Sequence, residues 1–218
     1  MTDIFKEAKH DLQQEKLHLA IRKYYKGAIA LITIILLSTS LYVYVRETNI
    51  RENEELSEEY YNLFISENKI STIKESDFGK LTTFKKSIYS KFAKMQYVNY
   101  LIQAKKHGKA IQLLFYLIEY SKDQPEISNL AKIKVAELVM KHNITSYNTK
   151  VLDILQKAIS KENTVPYFYM IKLLLGQLLI EDGKQEKALG ILKDLGTDDK
   201  APKNLRFFSN AILENYLQ

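Results

Sequence analysis

Side chains that could carry out chemistry are few in this sequence. The four histidines, His10, His18, His107 and His142, include no His-x-x-x-His pair, and no acidic cluster has the spacing of metal ligands. There is no cysteine, which excludes thiolate nucleophiles, disulfides and cysteine-based zinc sites. The seven glycines form no phosphate-binding loop, and no serine lies in a Gly-x-Ser-x-Gly turn. We therefore expect a protein that is not an enzyme and holds no cofactor or metal. His107 is predicted in a loop and His142 near a helix C-terminus.

Tyrosine indicates a possible binding function more than any residue type considered above. The sequence has 15 tyrosines, and most can pack in a core with the hydroxyl group at the surface. The alternative is a groove in which tyrosines contact a peptide or a helix of a partner, and Tyr97 and Tyr100 are the candidates for it. The net charge of +6 is spread along the chain and indicates solvated helix faces. No nucleic-acid partner is expected, because that requires clustered basic charge.

The scarcity of helix-breaking residues predicts an all-α protein. Only 7 Gly and 3 Pro occur among 218 residues, of which 46% are hydrophobic. The segment Gly27–Val45 contains no charged residue and, at about 1.5 Å per residue, would span roughly 28 Å. Leu36 lies near its middle, and the hydroxyl groups of Thr33, Ser38, Thr39 and Ser40 can bond to carbonyls of their own helix. The sequence therefore predicts one transmembrane helix.

Two other interpretations of this segment are a buried helix of a soluble protein and a cleaved signal peptide ending near Ser38-Thr39-Ser40. The long uncharged run disfavours the first, and its apolar continuation through Leu41–Val45 disfavours the second. Within fifteen residues of the segment, four Lys or Arg precede it and two follow it. This asymmetry predicts a cytoplasmic N-terminus and a C-terminal domain outside the membrane.

Helices are also predicted on both sides of the span. Residues 1–26 form a predicted amphipathic helix whose apolar stripe includes Ile4, Phe5, Leu12 and Leu19. Residues 46–68 form a predicted helix that continues out of the bilayer and docks on the domain through Leu56, Tyr60, Leu63 and Phe64. The predicted divisions are 1–26, 27–45, a connecting segment at 46–84 and a helical repeat domain at 85–218.

The three prolines divide this domain. Pro125, Pro166 and Pro202 follow each other by 41 and 36 residues, each before an apolar-periodic run where the first turn of a helix tolerates proline. The predicted helix pairs are 85–106 with 109–121, 126–142 with 148–160, and 166–182 with 185–195, followed by a capping helix at 202–217. Pairs repeating at this interval are typical of an α-solenoid. A helical bundle without true repeats is the alternative.

The last pair has the spacing of a degenerate tetratricopeptide repeat. Gly176, Gly183 and Ala188 are separated by seven and five residues, and small side chains at these positions let two helices approach and turn. In that geometry Gln177 and Glu181 would face the groove with the tyrosines. In the first pair Gly108 and Ala110 are only two residues apart, which predicts a shorter loop, and the middle pair lacks the pattern.

The layout resembles a family of tetratricopeptide-like, single-pass ancillary subunits of the bacterial Sec translocon. The resemblance is carried by Asp3-Ile4-Phe5, Asp11-Leu12 and Glu15-Lys16 before the span, and by 104–114, 130–136 and 183–192 leading into Ala201-Pro202. It implies a bacterial inner-membrane protein whose periplasmic repeat domain contacts translocon subunits, exported chains or periplasmic chaperones. A cell-envelope assembly protein that supports an oligomer without binding clients is the alternative function.

Overall fold

The computed structural model describes residues 2–65, 74–83, 87–160 and 166–217, and it is helical throughout these ranges apart from short loops. The chain divides into two compact units, Met1–Glu55 and Leu56–Gln218. Helix α1, Thr2–Phe64, is continuous, so the N-terminal helix, the apolar segment and the following helix predicted from the sequence form one element. The predicted end of that last helix at residues 66–68 lies outside the described residues.

The first unit consists of helix α1 up to Glu55. Its apolar part is long enough to cross a membrane, and the side chains of Leu36 and Val45 are exposed, by 62% and 50% respectively. The hydroxyl groups of Thr33, Ser38 and Thr39 donate to the carbonyl oxygens four residues earlier, at 2.7–2.9 Å, as predicted. These bonds satisfy polar groups that have no water partner in a bilayer. The side chains of the predicted amphipathic stripe, from Ile4 to Leu19, lie outside the described ones.

The second unit starts earlier than the predicted repeat domain. A 3-10 helix, Glu75–Phe78, leads into α2, Gly79–Thr83, and both pack on α3, Ile88–Gln103. The end of α1 contributes the four predicted docking residues to a cluster with Leu81, Ala93 and Tyr89. They are Leu56, which is buried, and the partly buried Tyr60, Leu63 and Phe64. Residues 56–64 and 75–83 thus belong to the packed unit.

Six further helices follow, and each packs on its neighbours along the chain. They are α4 His107–Tyr120, α5 Pro125–Lys141, α6 Asn148–Ile159, α7 Phe168–Glu181, α8 Gln185–Thr197 and α9 Lys203–Leu217. Contacts also join α5 to α7 and α7 to α9. One apolar cluster extends from α3 to α8, and a second joins α7, α8 and α9 around Leu173, Leu192 and Leu205. The predicted helices therefore exist, and their bounds differ from the predicted ones by a few residues.

The three prolines occupy different positions relative to the helices that follow them. Pro125 is the first residue of α5, as predicted. Pro202 directly precedes α9, while Pro166 lies two residues before α7 and is not in its first turn. Tyr167 separates Pro166 from that helix with a φ of 63°, a left-handed conformation. The Pro166 carbonyl accepts a hydrogen bond from the Asn129 amide at 3.0 Å, which fixes this turn on α5.

The same turn ends α3, α5 and α7. In each, a residue with positive φ follows the helix: Lys105 at 58°, Asn143 at 50° and Gly183 at 75°. The next amide then bonds back to a carbonyl five residues earlier, at 2.8–2.9 Å. These are the bonds of the Schellman motif, which satisfies the last carbonyls of a helix. A three-residue loop joins α3 to α4 and α7 to α8.

This recurring turn corrects the predicted register of the first two pairs. Lys105, and not Gly108, occupies the place of Gly183, and Ala110 then takes the place of Ala188, five residues later. Both alanines are fully buried. The expected shorter loop in the first pair is therefore wrong. In the middle pair the small residue seven positions before the turn is Ala136, which is also fully buried.

Candidate functional site

A cleft of about 410 Å³ lies at the C-terminal ends of α5, α7 and α9. Two residues predicted to face a groove, Gln177 and Glu181, line it from α7. They are four residues apart and so lie on one face of the helix. The opposite sides are formed by Met140 and Lys141 of α5 and by Ile212 and Tyr216 of α9, with Ile180 of α7 also in the lining. The volume falls within the range of about 300–1,000 Å³ typical of ligand sites.

The cleft combines an apolar surface with few polar groups. Met140, Ile180 and Ile212 supply apolar contacts, and the Gln177 amide can both donate to and accept from a peptide backbone. Partial burial raises the pKa of Glu181 above its ordinary value. The Glu181 side chain is nevertheless exposed, so its carboxylate is accessible to a donor from a bound chain. This arrangement suits binding of a short peptide segment.

Tyr97 and Tyr100 lie elsewhere, in an aromatic cluster on α3. The ring of Phe78 stacks on Tyr97 at 4.7 Å between centroids and lies 5.6 Å from Tyr100. Phe78 is itself 2% exposed, so a segment of the same chain already covers these rings. The structure therefore does not bring the two tyrosines together with Gln177 and Glu181, which line a cleft with residues of α5 and α9. Spacing alone could not reveal this, because the covering residue comes from the segment before α3.

A polar group anchors that covering segment. The Tyr97 hydroxyl donates to Glu75 Oε1 at 2.8 Å, and Lys106 Nζ lies 2.5 Å from Glu75 Oε2. The hydrogen bonds from Lys106 and Tyr97 lower the pKa of the Glu75 carboxyl. Burial and the bond to Glu75 raise the pKa of Tyr97 to about 12. The Glu75 carboxylate thus ties the 3-10 helix to both α3 and the loop before α4.

The predicted repeat-packing residues lie between α7 and α8. A Cβ atom added to Gly176 would be 2.7 Å from Cγ and Cδ2 of Leu192 on α8. Gly183 adopts a φ of 75° in the loop, and Ala188 is fully buried on α8. The anchor residues Gly27, Leu36 and Val45 are all in the exposed part of α1. Close approach at Gly176 explains why a larger side chain would not fit there.

Two histidines predicted in separate elements meet in the structure. The rings of His107, the first residue of α4, and His142, just after α5, stack with 4.0 Å between centroids. Burial, and then the charges of His107 and Lys141, lower the pKa of His142. His107 is thus a helical residue rather than a loop residue. Within the described ranges no three acidic or histidine side chains are grouped so that they could hold a metal ion.

The sequence prediction missed the cleft residues outside α7. Met140 and Lys141 precede Asn143 by three and two residues, as Ile180 and Glu181 precede Gly183. The correct register of the turns would have placed Met140 and Lys141 beside the predicted pair. That register was hidden because Asn143 and Lys105 stand where a tetratricopeptide pattern has glycine.

No protein-family model, no curated protein and no solved structure matches the chain. The candidate site is accordingly defined by its own contacts, a cleft between the ends of α5, α7 and α9.

Proposed function

We propose that this protein is a membrane-tethered, tetratricopeptide-like scaffold that binds proteins through the cleft between α5, α7 and α9. In this proposal α1 crosses the bacterial inner membrane with its N-terminus in the cytoplasm, and the repeat domain lies in the periplasm. There it assists protein translocation, or transfer to periplasmic chaperones, at the Sec translocon. Its partners are translocon subunits, exported chains or chaperones.

The observation that carries the proposal is the cleft itself. The helices that line it are α5, α7 and α9. Helices α5 and α7 are the first helices of two successive pairs, and α9 packs on α7 as α7 packs on α5. Contacts of α5 with α7, and of α7 with α9, are those expected when helix pairs stack in a solenoid. The three identical turns at Lys105, Asn143 and Gly183 support a repeat of the same unit. Such stacking produces the concave surfaces that repeat proteins use for binding.

Attachment to the membrane by α1 would compensate for weak binding by the cleft. A cleft of about 410 Å³ accepts only a few side chains and gives modest affinity on its own. A membrane helix holds the domain near membrane-bound partners and so raises their effective concentration. The orientation and the translocon as a partner depend on the charge asymmetry around the span and on the family resemblance.

The test uses the full-length protein in inner-membrane vesicles of known orientation. Protease added to the periplasmic side should digest the domain. A photoreactive amino acid at the position of Gln177 should crosslink to translocon subunits or exported chains. The matched control is the same amino acid at the position of Lys187, which is exposed on α8. Digestion from the cytoplasmic side only, or equal crosslinking from both positions, would contradict the proposal.

A second candidate, the oligomeric assembly protein, is favoured by one observation. Phe207 and Phe208 on α9 are 69% and 53% exposed, which is unusual for two adjacent aromatic side chains. If they form an interface between copies, replacing both by serine should convert a detergent-solubilised oligomer into a monomer in light scattering. A protein that is monomeric before the replacement would exclude this candidate.

A further inference from the structure

A second cleft, of about 510 Å³, lies where the end of α4, the beginning of α5 and the end of α6 meet. Three lysines line it: Lys122 just after α4, Lys132 on α5 and Lys157 on α6. None of the described residues that line this cleft is acidic. Its lining therefore has a surplus of positive charge, which attracts an anionic partner.

The rest of the lining is largely apolar. Ile118 and Ile154 contribute aliphatic side chains beside the three lysines, and the volume is that of a site for several side chains. A small anion such as phosphate would neutralise the lysines but leave this apolar surface in water. A ligand that has both carboxylates and apolar side chains matches both parts of the lining, because each then meets its complement.

Hydrogen bonds hold the walls of this cleft in place. The Ser128 hydroxyl donates to the Ile118 carbonyl at 3.2 Å and joins α5 to α4. Lys132 Nζ donates to Asn129 Oδ1 at 2.7 Å, and the Asn129 amide in turn holds the Pro166 carbonyl. The walls are thus formed before any ligand arrives, which lowers the entropic cost of binding.

Lys157 has an acidic neighbour, but the contact between them is weak. Lys157 Nζ lies 2.7 Å from Asp153 Oδ2, one turn earlier on α6, and both side chains are mostly exposed, by 75% and 56%. Exposed ion pairs of this kind contribute little to stability, because water screens both charges. A ligand carboxylate can therefore share or replace Asp153 at little cost.

We propose that this cleft binds an acidic, amphipathic peptide segment of a partner protein. It is a second interaction surface, distinct from the cleft between α5, α7 and α9. The two clefts use opposite ends of α5, since Lys132 and Met140 are eight residues apart, or roughly 12 Å along the helix. The domain can then hold an acidic partner at one end of α5 and a second chain at the other.

The test is a binding titration with the full-length protein in detergent micelles. The probe is a fluorescein-labelled amphipathic peptide with alternating glutamate and leucine, and its control has lysine in place of each glutamate. The double variant Lys122→Gln/Lys157→Gln removes two exposed charges from the cleft and should weaken binding of the acidic peptide about tenfold, or about 1.4 kcal/mol. The matched control Lys187→Gln/Lys193→Gln removes the same charge from exposed positions on α8 and should leave the affinity unchanged.

Four results would overturn the proposal. Equal weakening in both double variants would mean that net charge, and not the cleft, attracts the peptide. Equal binding of the lysine-containing peptide would mean that apolar contact alone is responsible. Complete displacement of the acidic peptide by millimolar inorganic phosphate would assign the cleft to small anions. Retained binding in the Lys122→Gln/Lys157→Gln variant would count equally against it, and none of these results bears on crosslinking from Gln177.

Discussion

Replacing Gly176 by alanine tests how closely α7 and α8 approach each other. The new Cβ atom would be 2.7 Å from both Cγ and Cδ2 of Leu192, whereas carbon atoms in good contact are about 3.5–4.0 Å apart. Leu192 is fully buried, so its side chain has little space into which to withdraw. Overpacking of this kind costs about 1–3 kcal/mol. Because Cγ moves only with the whole side chain, we expect the upper part of that range.

Gly176→Ala also increases helix propensity, and this stabilising effect must be separated from the clash. Alanine favours a helix interior over glycine by about 1 kcal/mol, so the net destabilisation by Gly176→Ala should be about 1–2 kcal/mol. Gly190→Ala on α8 is the matched control, because nothing lies within 4 Å of its added Cβ atom. That variant should be about 1 kcal/mol more stable than the wild type. The difference between the two variants isolates the clash, because both share the gain in helix propensity.

The assay is urea unfolding of the full-length protein in detergent, followed by near-ultraviolet circular dichroism of the tyrosines. Leu192→Ala is itself destabilising because Leu192 is buried, but Gly176→Ala should no longer destabilise in the Leu192→Ala background, since the new methyl group then fills space that the leucine left. A double-mutant cycle should give a coupling of at least about 1 kcal/mol. If Gly176→Ala is as stable as Gly190→Ala, the close approach of α7 and α8 described above is wrong.

Three further predictions concern the membrane and the response to pH. Leu36→Arg should hinder membrane insertion, because arginine at the centre of a span costs about 2.5–3.5 kcal/mol. Alkaline extraction should release the Leu36→Arg protein from membranes, while the Leu36→Ile protein stays membrane-bound. Burial, and then the charge of Lys91, lower the pKa of Lys94 from 10.5 to about 8. The unfolded chain therefore binds more protons between pH 8 and 10.5, so stability should rise over that range by up to about 3 kcal/mol, and Lys94→Met should abolish the rise in urea titrations. The pKa of His142 is lowered in the folded protein, so the unfolded chain takes up a proton first and the folded protein should lose stability as the pH falls below 6.5. His142→Gln should reduce this loss in thermal melts. If the pH profile of that variant is unchanged, His142 is not the cause of the loss.

The sequence was sufficient to predict the helices because the signals for them are local. Apolar periodicity located α3 to α9, and Pro125 marked the first residue of α5. The hydroxyl groups of Thr33 and Ser38 bond within α1 as expected, since the acceptors lie in the same helix. Each of these predictions needs only residues a few positions apart.

Features that depend on contacts distant along the chain were not predictable in this way. The Tyr97 ring is covered by Phe78, which is far outside the repeat pattern and reaches it only after the chain turns back. His107 and His142 stack because the beginning of α4 lies beside the end of α5. Nothing in the spacing of these residues indicates either contact. The structure places Gln177 and Glu181 in one cleft, because their relation depends on the geometry of one helix, and it places Tyr97 and Tyr100 in a separate aromatic cluster.

The three turns have the same backbone conformation although the residue with positive φ differs among them. A positive φ costs a non-glycine residue about 1–2 kcal/mol, a cost that Gly183 avoids and that asparagine tolerates better than most residues. Lys105 bears the cost in full, yet its turn has the same φ sign and the same hydrogen bonds. Two backbone bonds and the burial of Ala110 just after the turn can offset a loss of that size. The conformation of this turn therefore does not require glycine, and a search for glycine at fixed spacing finds one pair of the three.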